Sequence, residues 1–222
     1  MLCLMIIKTQ LGSSALADER LKTDCHNTLE KARLWIRATD FNAPEEEKTR
    51  VKSAINSANQ ACRLAKESAP DDGEVLVNSA YALFAAEKKK EAVKLIQEAS
   101  EIGYPPAMVM MARYLGQGKY MEKDSEGSLL LLIKTLKTKH DVARIQAALE
   151  FLPGGVGPEN TKRAKSTLRG LINDGNSKAM VAYAMKVLKL KNAKPNTNES
   201  KEGIELLERA ARKFQNPKAM IF

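Results

Sequence analysis

Few residues in this sequence are fit for covalent or metal chemistry, and their spacing is poor for it. The two histidines, His26 and His140, stand apart, and neither has a His-x-x-x-His or Glu-x-x-His partner of the kind a metal site needs. His140 precedes Asp141 at a helix–turn boundary, where a ring nitrogen can cap the helix that follows. The run Glu45-Glu46-Glu47 opens a helix and complements its dipole, a simpler role than holding a cation. Gly116-x-Gly118 has no strand before it and so is no dinucleotide fingerprint. Gly154-Gly155-Val156-Gly157 has the glycine density of a phosphate cradle but lacks the preceding strand and the lysine. No nucleophile elbow or phosphate-loop motif occurs. The sequence thus points to a protein that is not an enzyme, with no catalytic set, cofactor site or metal site.

The cysteines carry more information. Residues Asp18–Ala38 and Pro44–Ala69 read as two helices joined near Thr39–Ala43. In an antiparallel hairpin turning there, Cys25 and Cys62 fall within one helical turn of facing each other. A disulfide across the hairpin is geometrically reasonable and requires an oxidising compartment; two separate buried thiols are the alternative. The N-terminus bears on the same question. An apolar run, Met1–Ile7, is followed by Lys8 and then by Ala15-Leu16-Ala17 before Asp18, a small-residue cleavage pattern. No basic residue precedes that run, and Lys8 interrupts it early. The expectation is an incomplete secretory signal over residues 1–17 and a periplasmic or secreted protein. The alternative is a frayed or docked N-terminal segment of a cytoplasmic protein. No apolar stretch of about 18 residues is present to form a transmembrane helix.

Across 222 residues, 36 Lys and Arg face 27 Asp and Glu, a net charge of +9. Clustered on one face, that excess would suit a polyanion, either nucleic acid or an acidic polysaccharide; dispersed, it is a solvated surface. The densest run, Lys88-Lys89-Lys90, reads as a helix start. No basic stretch is interleaved with aromatics, as a single-strand binder would require.

What positions these residues is a repeat. Val75, Ala107, Ala143, Ala179 and Ala219 occupy similar positions at spacings between about 30 and 40 residues. Five residues after the first four comes alanine each time, at Ala80, Ala112, Ala148 and Ala184. Three further on comes a large apolar residue: Leu83, Leu115, Phe151 and Val187. The second half of each unit places a small residue at Ala92, Ser128, Ala164 and Gly203, with leucine three residues on at Leu95, Leu131 and Leu206 and Leu168 near the equivalent position in the third unit. Gly103 and Gly175 end second helices, and Asp124 and Asn160 precede them as caps. Each unit is helix, turn, helix, and one unit cannot bury its own apolar face. The fold class is therefore all-α, an α/α solenoid of stacked helical hairpins. Residues 18–70 form an N-terminal hairpin without the signature, and residues 71–222 form four repeats with a truncated fifth. Trp35, in the first hairpin with Leu29, Leu34 and Ile36, is expected to pack on the first repeat. After Ala219 a new helix begins and the sequence stops at Phe222, either cut short or with an apolar tail docked on the last hairpin.

The third unit reads Ala143, Ala147-Ala148, Phe151, Gly154-Gly155-Val156, Lys162-Arg163-Ala164, Leu168, Gly175 and Ala179. The second reads Ala107, Met111-Ala112, Leu115, Gly118, Asp124 and Leu131-Leu132. This pattern resembles the Sel-one-like repeat family, tetratricopeptide-like helical repeats, over residues 75–222. Lys162-Arg163-Ala164 and Arg209-Ala210-Ala211 sit where that family has its Lys-Ala segments, while alanine replaces the glycine of its first helix throughout. The resemblance implies a right-handed solenoid that binds a protein or peptide partner as a scaffold or adaptor. In bacteria it implies envelope roles in secretion, exopolysaccharide export or host interaction. In tetratricopeptide-like solenoids the first helices line the concave face. By that analogy Asn78, Tyr81, Met108, Met111, Arg144 and Lys186 are the candidate partner-binding residues. For the cluster Met108, Met110 and Met111, core packing is the first reading and an adaptable binding surface the alternative.

Overall fold

A computed structural model describes the backbone of residues 2–40, 42–188 and 197–214. It consists of ten α-helices, with no strand among the described residues. They fall into two compact units, residues 1–107 and 108–222.

The first unit opens with α1 (Leu2–Ala38) and α2 (Glu45–Ser68), joined by a short turn. α1 runs unbroken through the segment expected to be a signal, so the first helix starts well before Asp18. The acidic start of α2, Glu45-Glu46-Glu47, lies on its positive dipole end. Cys25, Leu29 and Ala32 of α1 recur at helical spacing and are buried against Ala58, Cys62 and Ala65 of α2. Cys25 and Cys62 form a disulfide with their Cα atoms 4.4 Å apart. Both cysteines are 1% exposed, so the bond sits inside the hairpin. Next come α3 (Gly73–Ala85) and α4 (Lys89–Glu101). Asp72 caps α3, accepting from the backbone N–H groups of Glu74 and Val75. Lys88-Lys89-Lys90 does open α4. Gly73, the first residue of α3, lies so close to Tyr104 that a Cβ there would sit 2.4 Å from the tyrosine Cβ.

α5 (Pro105–Gln117) crosses from one unit into the other. The second unit continues with α6 (Ser125–Leu136), α7 (Asp141–Leu149), α8 (Thr161–Asn173) and α9 (Ser177–Ala182). α9 passes into a π-helical turn, Tyr183–Val187, and α10 covers Asn198–Phe214. Asp124, His140, Asn160 and Asn176 cap α6 to α9 through their side chains, including the imidazole cap expected of His140.

The repeat positions have the physical roles their sizes suggest. Ala80, Ala112, Ala148 and Ala184 are all fully buried, as are Ala92, Ser128 and Ala164 of the second helices. Side chains this small let helix backbones approach closely. Ser128 shows how closely: its hydroxyl donates to the carbonyl of Ala112 at 2.7 Å. Phe151, Leu168 and Leu132 fill the space alongside. Gly103 and Gly175 have φ of 87° and 85°, the left-handed conformation that ends a helix at little cost only for glycine.

Trp35 is placed differently from the expectation. It lies half-buried in a shallow cleft of the first hairpin, beside Lys31 of α1 and Arg50, Ala54 and Ser57 of α2. Arg33, two residues before Trp35, does reach α3: its guanidinium lies 4.4 Å over the Tyr81 ring. Leu34 and Ile36 are exposed.

Candidate functional site

The first unit carries a groove of about 560 Å³. That is within the range of about 300–1,000 Å³ usual for ligand sites. Its construction follows from two amphipathic helices. In α2 the stripe Ala58, Cys62, Ala65 turns inward, which leaves the adjacent stripe Asn56, Asn59, Gln60, Arg63 and Lys66 to form one wall. In α4 the inward stripe is Ala92, Leu95, Ile96 and Ala99, and Lys88, Glu91, Lys94 and Glu98 form the opposite wall. α3 supplies the floor with Ser79 and Leu83, continued by Ala86 just past its end.

One polar tie fixes the α2 wall to the floor, and one covalent tie fixes that wall to α1. The buried Ser79 hydroxyl donates to the carbonyl of Cys62 at 3.1 Å. Cys62 itself is bonded to Cys25 of α1 behind it. The α2 wall is therefore held at Cys62 by a disulfide to α1 and a buried hydrogen bond to α3. Arg63 on its rim pairs with Glu67 at 2.9 Å, and Asn59 donates to the Ile55 carbonyl at 3.0 Å. Among the described residues, Lys66, Lys88 and Lys94 enter no ion pair. No aromatic side chain lines the groove.

A smaller cleft of about 240 Å³ lies on the other side of α3, where Glu19, Lys22 and His26 of α1 face Glu74 and Asn78. Lys22 bonds Asp72 at 2.7 Å there. Burial works to raise the Asp72 carboxyl, but the Lys22 hydrogen bond and the α3 backbone N–H groups outweigh it and hold the pKa below the usual value. The hydrogen bond to Asp72 correspondingly raises Lys22. The Tyr104 phenol is pushed up to about 12, first by burial and then by the nearby charges of Glu74 and Asp72.

The six residues chosen from the sequence are scattered. Asn78 lines the smaller cleft, and Tyr81 is half-buried beneath Arg33. Arg144 pairs with Asp141 at 3.5 Å, and its Nε is buried without a hydrogen-bond partner among the described residues. Lys186 is exposed in the π-helical turn. Met108 and Met111 require correction as surface candidates. They are 0% and 7% exposed, because consecutive residues Ala107, Met108 and Val109 are all enclosed at the start of α5. A helix enclosed on more than one side offers no such face to a partner, and these methionines pack. None of the six lines the large groove. The sequence signal that would have found it is the polar stripe at helical spacing beside each buried stripe of α2 and α4.

The glycine-rich loop after α7 is a closed structural knot. Glu150 is 8% exposed, and its carboxylate accepts from Arg113 at 2.6 Å and from the Val156 N–H at 3.1 Å. The Gly155 and Gly157 N–H groups bond the carbonyls of Leu152 and Glu150, both at 3.0 Å. With those donors satisfied internally, the loop has little left to offer a phosphate. Among the described residues no three His, Cys, Asp or Glu side chains are grouped to hold a metal ion, and no helix is long and apolar enough to cross a membrane.

No protein-family model and no curated protein matches this sequence. Among solved structures it is similar to a Sel1 repeat protein from Oxalobacter formigenes. The likeness covers 86% of each chain with a TM-score of 0.51 and 16% sequence identity. The fold of this chain is therefore that of a Sel1-type α/α solenoid, in agreement with the spacing of its alanines and leucines.

Proposed function

We propose that this protein is a non-enzymatic scaffold that binds a peptide or protein segment in the groove between α2 and α4. The observation that carries the reading is the groove itself: two polar helical walls over an apolar floor, anchored by a buried disulfide and a buried hydrogen bond. Such a site is preorganised, so a bound segment spends little of its binding energy on ordering the protein. The disulfide also supports a location in the bacterial cell envelope or outside the cell, since such bonds persist in oxidising compartments. A residue-by-residue test is selection of a random peptide library on the oxidised full chain, followed by binding of the selected peptides to Gln60→Trp. Gln60 is exposed on the α2 wall, and an indole there fills the groove without touching the core. Loss of binding in this variant supports the groove; binding unchanged by it would move the site elsewhere.

A further inference from the structure

Which segment suits the groove follows from its shape and charge, given the reading above that the groove binds a peptide. The α2 wall runs from Asn56 to Lys66 and the α4 wall from Lys88 to Glu98, ten residue steps each. At the helical rise this is about 15 Å, the length of four or five extended residues. The charges on the walls are unequal. α2 contributes Arg63 and Lys66 and no carboxylate, and α4 contributes Lys88 and Lys94 around Glu91 and Glu98. Three of the four cations have no carboxylate partner among the described residues. The floor is apolar at Leu83 and Leu95.

We infer that the groove takes a short extended acidic segment of a partner protein, with apolar side chains alternating with carboxylates. In an extended strand successive side chains point to opposite sides. One set then rests on Leu83 and Leu95, and the other reaches the ammonium groups of Lys66, Lys88 and Lys94 on the rims. The amides of Asn56 and Gln60 offer donors and acceptors to the segment's main chain. Nucleic acid fits less well. The groove has no aromatic surface on which a base could stack.

The test uses a fluorescein-labelled five-residue peptide of alternating glutamate and leucine, blocked at both ends. Its glutamine-for-glutamate and lysine-for-glutamate counterparts serve as controls. Anisotropy is measured with the oxidised full chain, with the double variant Lys66→Glu, Lys94→Glu, and with Gln60→Trp. Lys139→Glu, Lys178→Glu, exposed positions in the second unit, match the double variant in net charge. The inference expects the glutamate peptide to bind tightest, the Lys66/Lys94 variant to weaken it about tenfold, and the matched control to leave it unchanged. Equal binding of the glutamine peptide, lost in Gln60→Trp, would overturn the acidic preference and keep the peptide groove. Binding of every peptide unaffected by Gln60→Trp would overturn the groove as well. A single-stranded oligonucleotide that displaces the glutamate peptide and loses affinity in the Lys66/Lys94 variant but not in the matched control would overturn the peptide assignment in favour of a polyanion.

Discussion

Removing the Cys25–Cys62 bond is the perturbation whose size is best fixed by the structure. The bond closes a loop with a sequence separation of 37 residues. Constraining a loop of that length in the unfolded chain stabilises the fold by about 4 kcal/mol in the loop-entropy treatment. The neighbourhood argues against a large compensating loss. Both cysteines are surrounded by Leu29, Ala32, Ala58 and Ala65, so Cys25→Ala, Cys62→Ala leaves only small side chains changed in a packed core. The chain has one tryptophan, Trp35, and it lies in the same hairpin. Its fluorescence therefore reports on the first unit. Urea titrations of the oxidised chain and of the double alanine variant should show a midpoint lower by about 2–3 M in the variant, for a unit with a slope of about 1.5 kcal/mol/M. Intact mass before and after reduction and alkylation checks that the bond is present at the outset. A bonded protein whose midpoint falls by less than about 0.5 M on losing the bond would refute the reasoning, because the hairpin would then stay closed in the unfolded ensemble without its crosslink.

Three other outcomes are expected. Glu150→Ala strips Arg113 and the Val156 N–H of their acceptor and should destabilise the second unit by about 2–3 kcal/mol, read as faster hydrogen exchange at Val156. Gly73→Ala drives a Cβ into Tyr104 and should cost about 1–3 kcal/mol, seen as an earlier Trp35 transition. The pH dependence of the first unit should have two edges. Asp72 is depressed by folding, so its contribution is full above the unfolded value of about 4 and is lost as pH falls through the lower folded value. Tyr104 is raised by folding, so its contribution is full below about 10 and is lost as pH climbs towards about 12. Asp72→Asn should flatten the acid edge and Tyr104→Phe the alkaline one.

The fold was legible in the sequence because it is encoded locally. Alanine at Ala80, Ala112, Ala148 and Ala184 has one use at that spacing, close helix approach, and all four are buried. The disulfide was legible for a similar reason: one short turn sets the register of the hairpin, and the register pairs the cysteines. The groove was not legible. Its walls come from helices about thirty residues apart, and Asn56, Gln60, Lys88 and Lys94 read one at a time as an ordinary solvated surface. Analogy pointed to the first helices of each hairpin, whereas the groove is walled by the second helices α2 and α4. Met108 and Met111 failed as surface residues because sequence shows an apolar residue without showing how many sides of its helix are covered.

The groove between α2 and α4 is the expected place for a partner segment to bind. The direct measurement is a nuclear magnetic resonance titration of the isotope-labelled, oxidised full chain with the alternating glutamate–leucine peptide. Amide shifts confined to Asn56–Lys66, Ser79–Ala86 and Lys88–Glu98, saturating with peptide, are the expected result. Shifts that gather on the second unit, or none at all with a peptide that binds by anisotropy, would contradict it.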